Sequence, residues 1–199
     1  MTRSRCLQAL SRWAMALCAL SLVACGSNRP KPAELPAIAQ PMAVQTLWSF
    51  ALGEIKVPMV PVFTPQGRVV LATSAGELVT LQMANGQLVE RVSLKETLSA
   101  AVGSDGKRHA IVTRNNQLIA IEGGKEAWRQ GLSAQVFTPP LVAGERVFVL
   151  LADRTVQAYD GASGRLLWTQ ARAGEPLVLS QSGTLMSFGN TLVAGLTGR

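Results

Sequence analysis

One histidine, three cysteines and 12 carboxylates are the groups in this 199-residue chain able to do proton, thiol or metal chemistry. Their placement removes most of those options. His109 ends the stretch Ser104-Asp-Gly-Lys-Arg-His109. With no cysteine to join it, a zinc site of the usual ligand types is not expected, and His109 reads as a solvated hairpin residue. Asp105 and Asp160 each precede a glycine and read as turn formers, whose carboxylates accept hydrogen bonds from their own turn. The sequence contains neither a Gly-x-Ser-x-Gly elbow nor a Gly-x-x-x-x-Gly-Lys phosphate loop. No catalytic residue, metal ligand or cofactor is assigned.

The cysteines point elsewhere. Arg3, Arg5 and Arg12 precede a mostly apolar run, Trp13 to Ala24, with no acidic residue among them. A run of about a dozen apolar residues is too short to span a bilayer and reads as an export signal over 1–24. Its end, Leu22-Val23-Ala24-Cys25-Gly26, resembles the lipobox of bacterial lipoproteins. That resemblance implies cleavage before Cys25 and acylation of its thiol and new amino group. Each buried methylene adds roughly 0.8 kcal/mol, so several chains on one residue make a lasting membrane anchor. Gly26, where Asp would imply inner-membrane retention, implies the outer membrane and its periplasmic face. Residues 25–46, with Pro30, Pro32, Pro36 and Pro41, read as a tether rising about 3.1 Å per residue.

Cleavage would also remove Cys6 and Cys18, leaving no thiol pair for a disulfide. Of the formal +7, three charges belong to the leader, so 16 basic residues face 12 acidic ones after it. They are scattered rather than clustered, which argues against a nucleic-acid stripe.

Beyond residue 46 the chain repeats. Ala158-Tyr-Asp-Gly-Ala-Ser-Gly-Arg-Leu-Leu-Trp168 has an earlier copy, Ala120-Ile-Glu-Gly-Gly-Lys-Glu-Ala-Trp128, with a turn two residues shorter. Thr80 to Glu90 is a worn third copy. Gly86, Gly124 and Gly164 lie 38 and 40 residues apart, and Trp48, Glu90, Trp128 and Trp168 lie 42, 38 and 40 apart. A period near forty, filled with short strands such as Arg146–Leu151 and the alternating Thr155–Tyr159, predicts four-stranded β-propeller blades. The fold class is therefore all-β. Leu88 to Val102 alone has an apolar spacing that also suits a helix.

The tryptophans are expected to wedge between blades, because a blade cannot bury both of its faces alone. An indole buries about 150–250 Å², worth at most roughly 4–6 kcal/mol at about 25 cal/mol per Å². Glu90 in place of Trp predicts a weaker or differently filled seam.

The unit Ala158-x-Asp160-x-x-Ser163-Gly164-x-x-x-Trp168 is similar to the Ala-x-Asp-x-x-Thr-Gly-x-x-x-Trp motif of quinoprotein-type propeller repeats, with Ser163 at the threonine position. Joined to a lipobox and a proline-rich tether, it resembles the BamB family of the outer-membrane β-barrel assembly machinery. The resemblance implies a non-catalytic scaffold and an eight-bladed ring. Residues 47–199 then read as an incomplete half-ring of three complete units with partial ends. It also implies docking to BamA POTRA domains, to other subunits of the assembly complex and to unfolded β-barrel substrates. Leu177 and Leu179 match the family's Leu-x-Leu-Arg contact, with Ser180 in the place of Arg. Two readings of that leucine pair stand: a partner anchor, or core of the next blade. The alternative function is a membrane-anchored, quinone-dependent (PQQ) dehydrogenase fragment, whose adjacent cysteine pair is missing after the leader.

Overall fold

The computed structural model describes residues 44–56, 58–172 and 183–196. From Gln45 onward they belong to one compact unit. The first sheet comprises β1 (Val62–Phe63), β2 (Arg68–Ala72), β3 (Glu77–Gln82) and β4 (Leu88–Ser93). The second holds β5 (Gly103–Ser104), β6 (Arg108–Val112), β7 (Gln117–Glu122) and β8 (Lys125–Gly131). The third holds β9 (Leu141–Ala143), β10 (Arg146–Leu150), β11 (Thr155–Asp160) and β12 (Leu166–Ala171), and a hairpin of β13 (Gly183–Phe188) and β14 (Thr191–Leu196) follows. Each sheet runs in chain order, every neighbouring pair antiparallel.

Burial follows strand position. In β2, β6 and β10 nearly every residue is buried, including the apolar runs Val69–Ala72, Ala110–Val112 and Val147–Leu150. A strand covered on both faces cannot alternate. The outer strands β4 and β12 carry exposed or half-buried side chains throughout, because each sheet stops there.

Side-chain alternation in the middle sheet supplies two seams at once. Ile111, Ile119 and Ile121 pack toward the first sheet with Val70, Leu78 and Val102. Ala110, Val112, Leu118 and Ala120 pack the other way, with Val142, Val147, Val149 and Tyr159 of the third. The outer face of the first sheet (Val69, Leu71, Val79, Leu81) is covered by Trp48, Phe50 and Leu52, alternate residues of an extended segment.

The repeat extends to defects. In each sheet the pairing of the third strand with the fourth slips by one residue, between Thr80 and Leu81, Ala120 and Ile121, and Ala158 and Tyr159. Just before the slip Thr80 faces Glu90, Ala120 faces Trp128 and Ala158 faces Trp168. Glu90 therefore stands at the tryptophan position of its blade.

Two details depart from expectation. Leu88–Ser93 is strand β4, so the helical alternative for that region falls away. The innermost strands β1, β5 and β9 are only two or three residues long, too short to announce themselves by alternation.

Candidate functional site

The tryptophan seams are the most specific constructions in the chain. Trp128 is 8% exposed and its Nε1 donates to the carbonyl of Gly161, 2.7 Å away, in the turn of the next sheet. Its six-membered ring lies over Gly164, where a Cβ would sit 2.6 Å from the indole. Gly164 has φ of +72°, which L side chains rarely adopt, so this glycine answers both the turn and the ring. Tyr159 stacks against the indole at 6.2 Å between centroids. Trp48 repeats the arrangement two seams earlier, on the outer face of the first sheet: Nε1 donates to Met83 O at 2.9 Å, and the ring covers Gly86.

Trp168 differs. It is 40% exposed and sits 6.0 Å from Phe148, on a groove of about 440 Å³ between the third sheet and the hairpin that also touches Arg146, Asn190 and Leu192. Among the described residues the wedge expected of this tryptophan is thus only half formed.

The remaining motif residues are turn and packing elements. Asp160 Oδ1 accepts from Ser163 N at 2.8 Å and Ser163 Oγ at 2.7 Å; these bonds to the charged form hold its carboxyl below the ordinary range. Ser163 thereby performs the capping that the motif's threonine hydroxyl offers. Ala158 is fully buried and is the register partner of Trp168.

Between the first and second sheets the indole is missing and the opposing turn, Gly123-Gly124, is two residues shorter. Glu90 lies over Gly124, its Oε1 3.1 Å from where a Cβ would stand, and its Oε2 is 3.6 Å from His109 Nε2. A polar cleft of about 200 Å³ opens here, lined by Thr64, Arg68, Thr80, Glu90, Lys107 and His109 among others. The expectation of a solvated His109 is overturned: the residue is 4% exposed on β6, and its Nδ1 lies 2.8 Å from Ser104 Oγ. Six residues of polar and turn character foretold only the hairpin; β6 then turns alternate side chains into the seam. Glu90→Trp is expected to fill the cleft and leave the melting temperature unchanged or higher. A large drop on thermal unfolding would contradict that account of the seam.

Ser104, His109 and Glu90 are in line, the components of an acyl-transfer relay, yet their arrangement does not serve one. Ser104 does not line the cleft, and its hydroxyl is occupied in its own turn, accepting Gly106 N–H at 2.9 Å. Arg108, 5% exposed, reaches Glu122 at 2.8 Å and Lys107 reaches the same carboxylate at 3.1 Å; both bonds hold the Glu122 carboxyl below its ordinary range. Sequence reading missed Arg108, whose burial follows from Gly161: a Cβ there would lie 2.4 Å from the Arg108 Nη1. Arg129 binds Glu126 at 2.8 Å, Glu96 at 2.9 Å and the Gln117 side chain, so its guanidinium pKa is raised. No three His, Cys, Asp or Glu side chains gather as a metal site among the described residues. No helix there is long and apolar enough to cross a membrane. Cys25 and the stretch Leu177, Leu179, Ser180 lie outside the described residues.

Stacked four-stranded antiparallel sheets, joined by indoles seated on turn glycines, define a β-propeller of quinoprotein-type repeats. Residues 74–199 match the family described as Outer membrane protein assembly factor BamB, and the chain belongs to that family. It is 29% identical over 186 residues to the Outer membrane protein assembly factor BamB of Bordetella pertussis, covering 92% of this chain and 48% of that one. A second BamB, from Burkholderia pseudomallei, is 29% identical over 191 residues, covering 93% of this chain and 50% of the relative. The chain thus spans about half the length of these curated relatives. In fold it is similar to the crystal structure of BamB from Moraxella catarrhalis, with a TM-score of 0.58 and 20% identity over 74% of this chain and 43% of that one.

Proposed function

We propose that the chain serves as a non-catalytic scaffold in the assembly of β-barrel proteins into the outer membrane. The observation that carries this reading is the family match over residues 74–199. The chemistry-bearing side chains support it, because the fold consumes them: Asp160 caps a turn, Glu122 neutralises Arg108 and Lys107, and Ser104 holds His109. What the blades offer outward is surface and strand edge, at the outer strands β4, β8 and β12. A free edge can accept an extended segment of an unfolded β-barrel substrate by strand pairing.

Cys25 is proposed as the lipidated anchor on the periplasmic face of the outer membrane. Leu177 and Leu179, with Ser180, are proposed as a contact to the POTRA domains of BamA. In an extended segment residues two apart face one way, which would make the two leucines a paired apolar anchor. Ser180 withholds the charge-assisted bond that the family's Arg would add, and Arg172, the preceding cation in the sequence, is the candidate to replace it. Leu177→Ala with Leu179→Ala is expected to cut recovery of BamA severalfold in pull-downs from solubilised membranes. Undiminished recovery would reject the contact. In the same preparations Cys25→Ala should leave the protein out of the membrane fraction.

A further inference from the structure

His109 stands at the joint between the first and second sheets, and both of its ring nitrogens are engaged across short distances. Nδ1 is 2.8 Å from Ser104 Oγ, and Nε2 faces Glu90 Oε2 at 3.6 Å. The Ser104 hydroxyl already accepts the Gly106 N–H, and it has a single hydrogen of its own to give. A neutral imidazole with its hydrogen on Nε2 satisfies this arrangement: Ser104 donates to Nδ1, and the ring N–H points to Glu90. Adding a proton converts Nδ1 from acceptor to donor, so the serine hydrogen loses its acceptor in the closed joint. The imidazolium would also have to exist at 4% exposure.

The surrounding charges divide. Glu90 on β4 and Asp105 in the β5–β6 turn favour the imidazolium. Arg68 on β2 and Lys107 line the same cleft and oppose it, with the Lys107 ammonium drawn aside to Glu122 at 3.1 Å. Burial outweighs the two carboxylates, and the folded-state pKa of His109 lies below its ordinary 6.5. The hydroxyls of Thr64 (8% exposed) and Thr80 (4%) line the cleft beside the ring and make no hydrogen bond within the protein. Opening the joint would hydrate these hydroxyls and the imidazolium together.

We propose that this joint is an acid-operated hinge, in which uptake of one proton at His109 loosens the first sheet from the second while the indole-filled seam between the second and third stays closed. The sign follows from the lowered folded-state value. The open joint binds the proton more tightly, so stability present above pH 6.5 is lost as pH falls through the window below it. Down to the folded-state value, each pH unit favours opening about tenfold. Outside that window the joint is indifferent to pH.

His109 is the only histidine of the chain, so its ring resonances titrate without overlap. In the full chain they are expected to titrate below 6.5. Hydrogen exchange compared at about pH 7.5 and about pH 5.5, corrected for intrinsic rates, should show β4 and β6 losing protection by up to about tenfold per unit inside the window, relative to β10 and β11. A titration at or above 6.5, or equal loss in β10 and β11, overturns the hinge. His109→Gln should abolish the differential loss, and persistence of that loss would overturn it too. Should that variant not fold, Glu90→Gln gives the second arm: without its carboxylate partner His109 must titrate lower still, and an unchanged titration would refute the pairing across the joint.

Discussion

Trp128→Ala is expected to lower stability by about 3–5 kcal/mol, the range for truncating a buried aromatic in a core that cannot collapse around the gap. For a chain of this size that is a fall in melting temperature on the order of 10 °C. The loss has separable parts. The ring covers Gly164 and stacks on Tyr159, while its N–H satisfies the Gly161 carbonyl at 2.7 Å. Trp128→Phe keeps most of the apolar contact and leaves that carbonyl without its donor, so it should cost about 1–3 kcal/mol. Trp168→Ala provides the comparison within the same chain. At 40% exposure its indole has less area to lose, and about 1–2 kcal/mol is expected. Equal losses for Trp128 and Trp168 in denaturant titrations would show that the seam geometry is not what stabilises the stack.

Gly103→Ala is expected to be as damaging for a different reason. The glycine lies on β5, where the second sheet approaches β9 of the third, and an added Cβ would fall 1.9 Å from the Pro140 carbonyl oxygen and 2.7 Å from its carbon. These are backbone atoms, so no rotamer change relieves the overlap and the inner strands must part. Overpacking of this kind costs about 3 kcal/mol or more. The variant should melt far earlier than the parent or fail to accumulate in soluble form. Gly131→Ala is its control: that glycine has open space around its Cβ position and an ordinary backbone conformation, so a change within about 0.5 kcal/mol is expected. A Gly103→Ala protein melting within a degree or two of the parent would mean the blades can separate freely at their inner edge.

Both predictions concern residues of unequal legibility. Trp128 announced itself by recurring at the end of a repeat, because stacked blades meet at equivalent places and reuse one solution. Gly103 did not. A glycine in Val102-Gly103-Ser104 is a recognised sign of a bulge or of close backbone approach, but nothing in the local sequence says that Pro140 is what approaches. The same limit explains His109. Its neighbours Asp105, Gly106 and Lys107 correctly foretold a turn, and Asp105 Oδ1 does accept the Lys107 and Arg108 amides at 2.9 and 2.7 Å. The strand that follows the turn then carries His109 into a seam whose other wall, Glu90, lies 19 residues earlier in the chain.

By itself, then, the sequence determined the all-β class, the blade period, the turn chemistry of Asp160 and Gly164, and Glu90 as the odd member of a tryptophan series. These are properties of one repeat or of its spacing, and hydrogen bonding and alternation along a short stretch of backbone are enough to dictate them. Tertiary structure alone decided which side chains meet across the seams: indole on turn glycine, Arg108 beneath Gly161, carboxylate against a buried imidazole. Such meetings depend on how one sheet is laid on the next. Stacking brings together residues 19 to 53 positions apart, at distances where a single methyl group or a single proton changes the outcome.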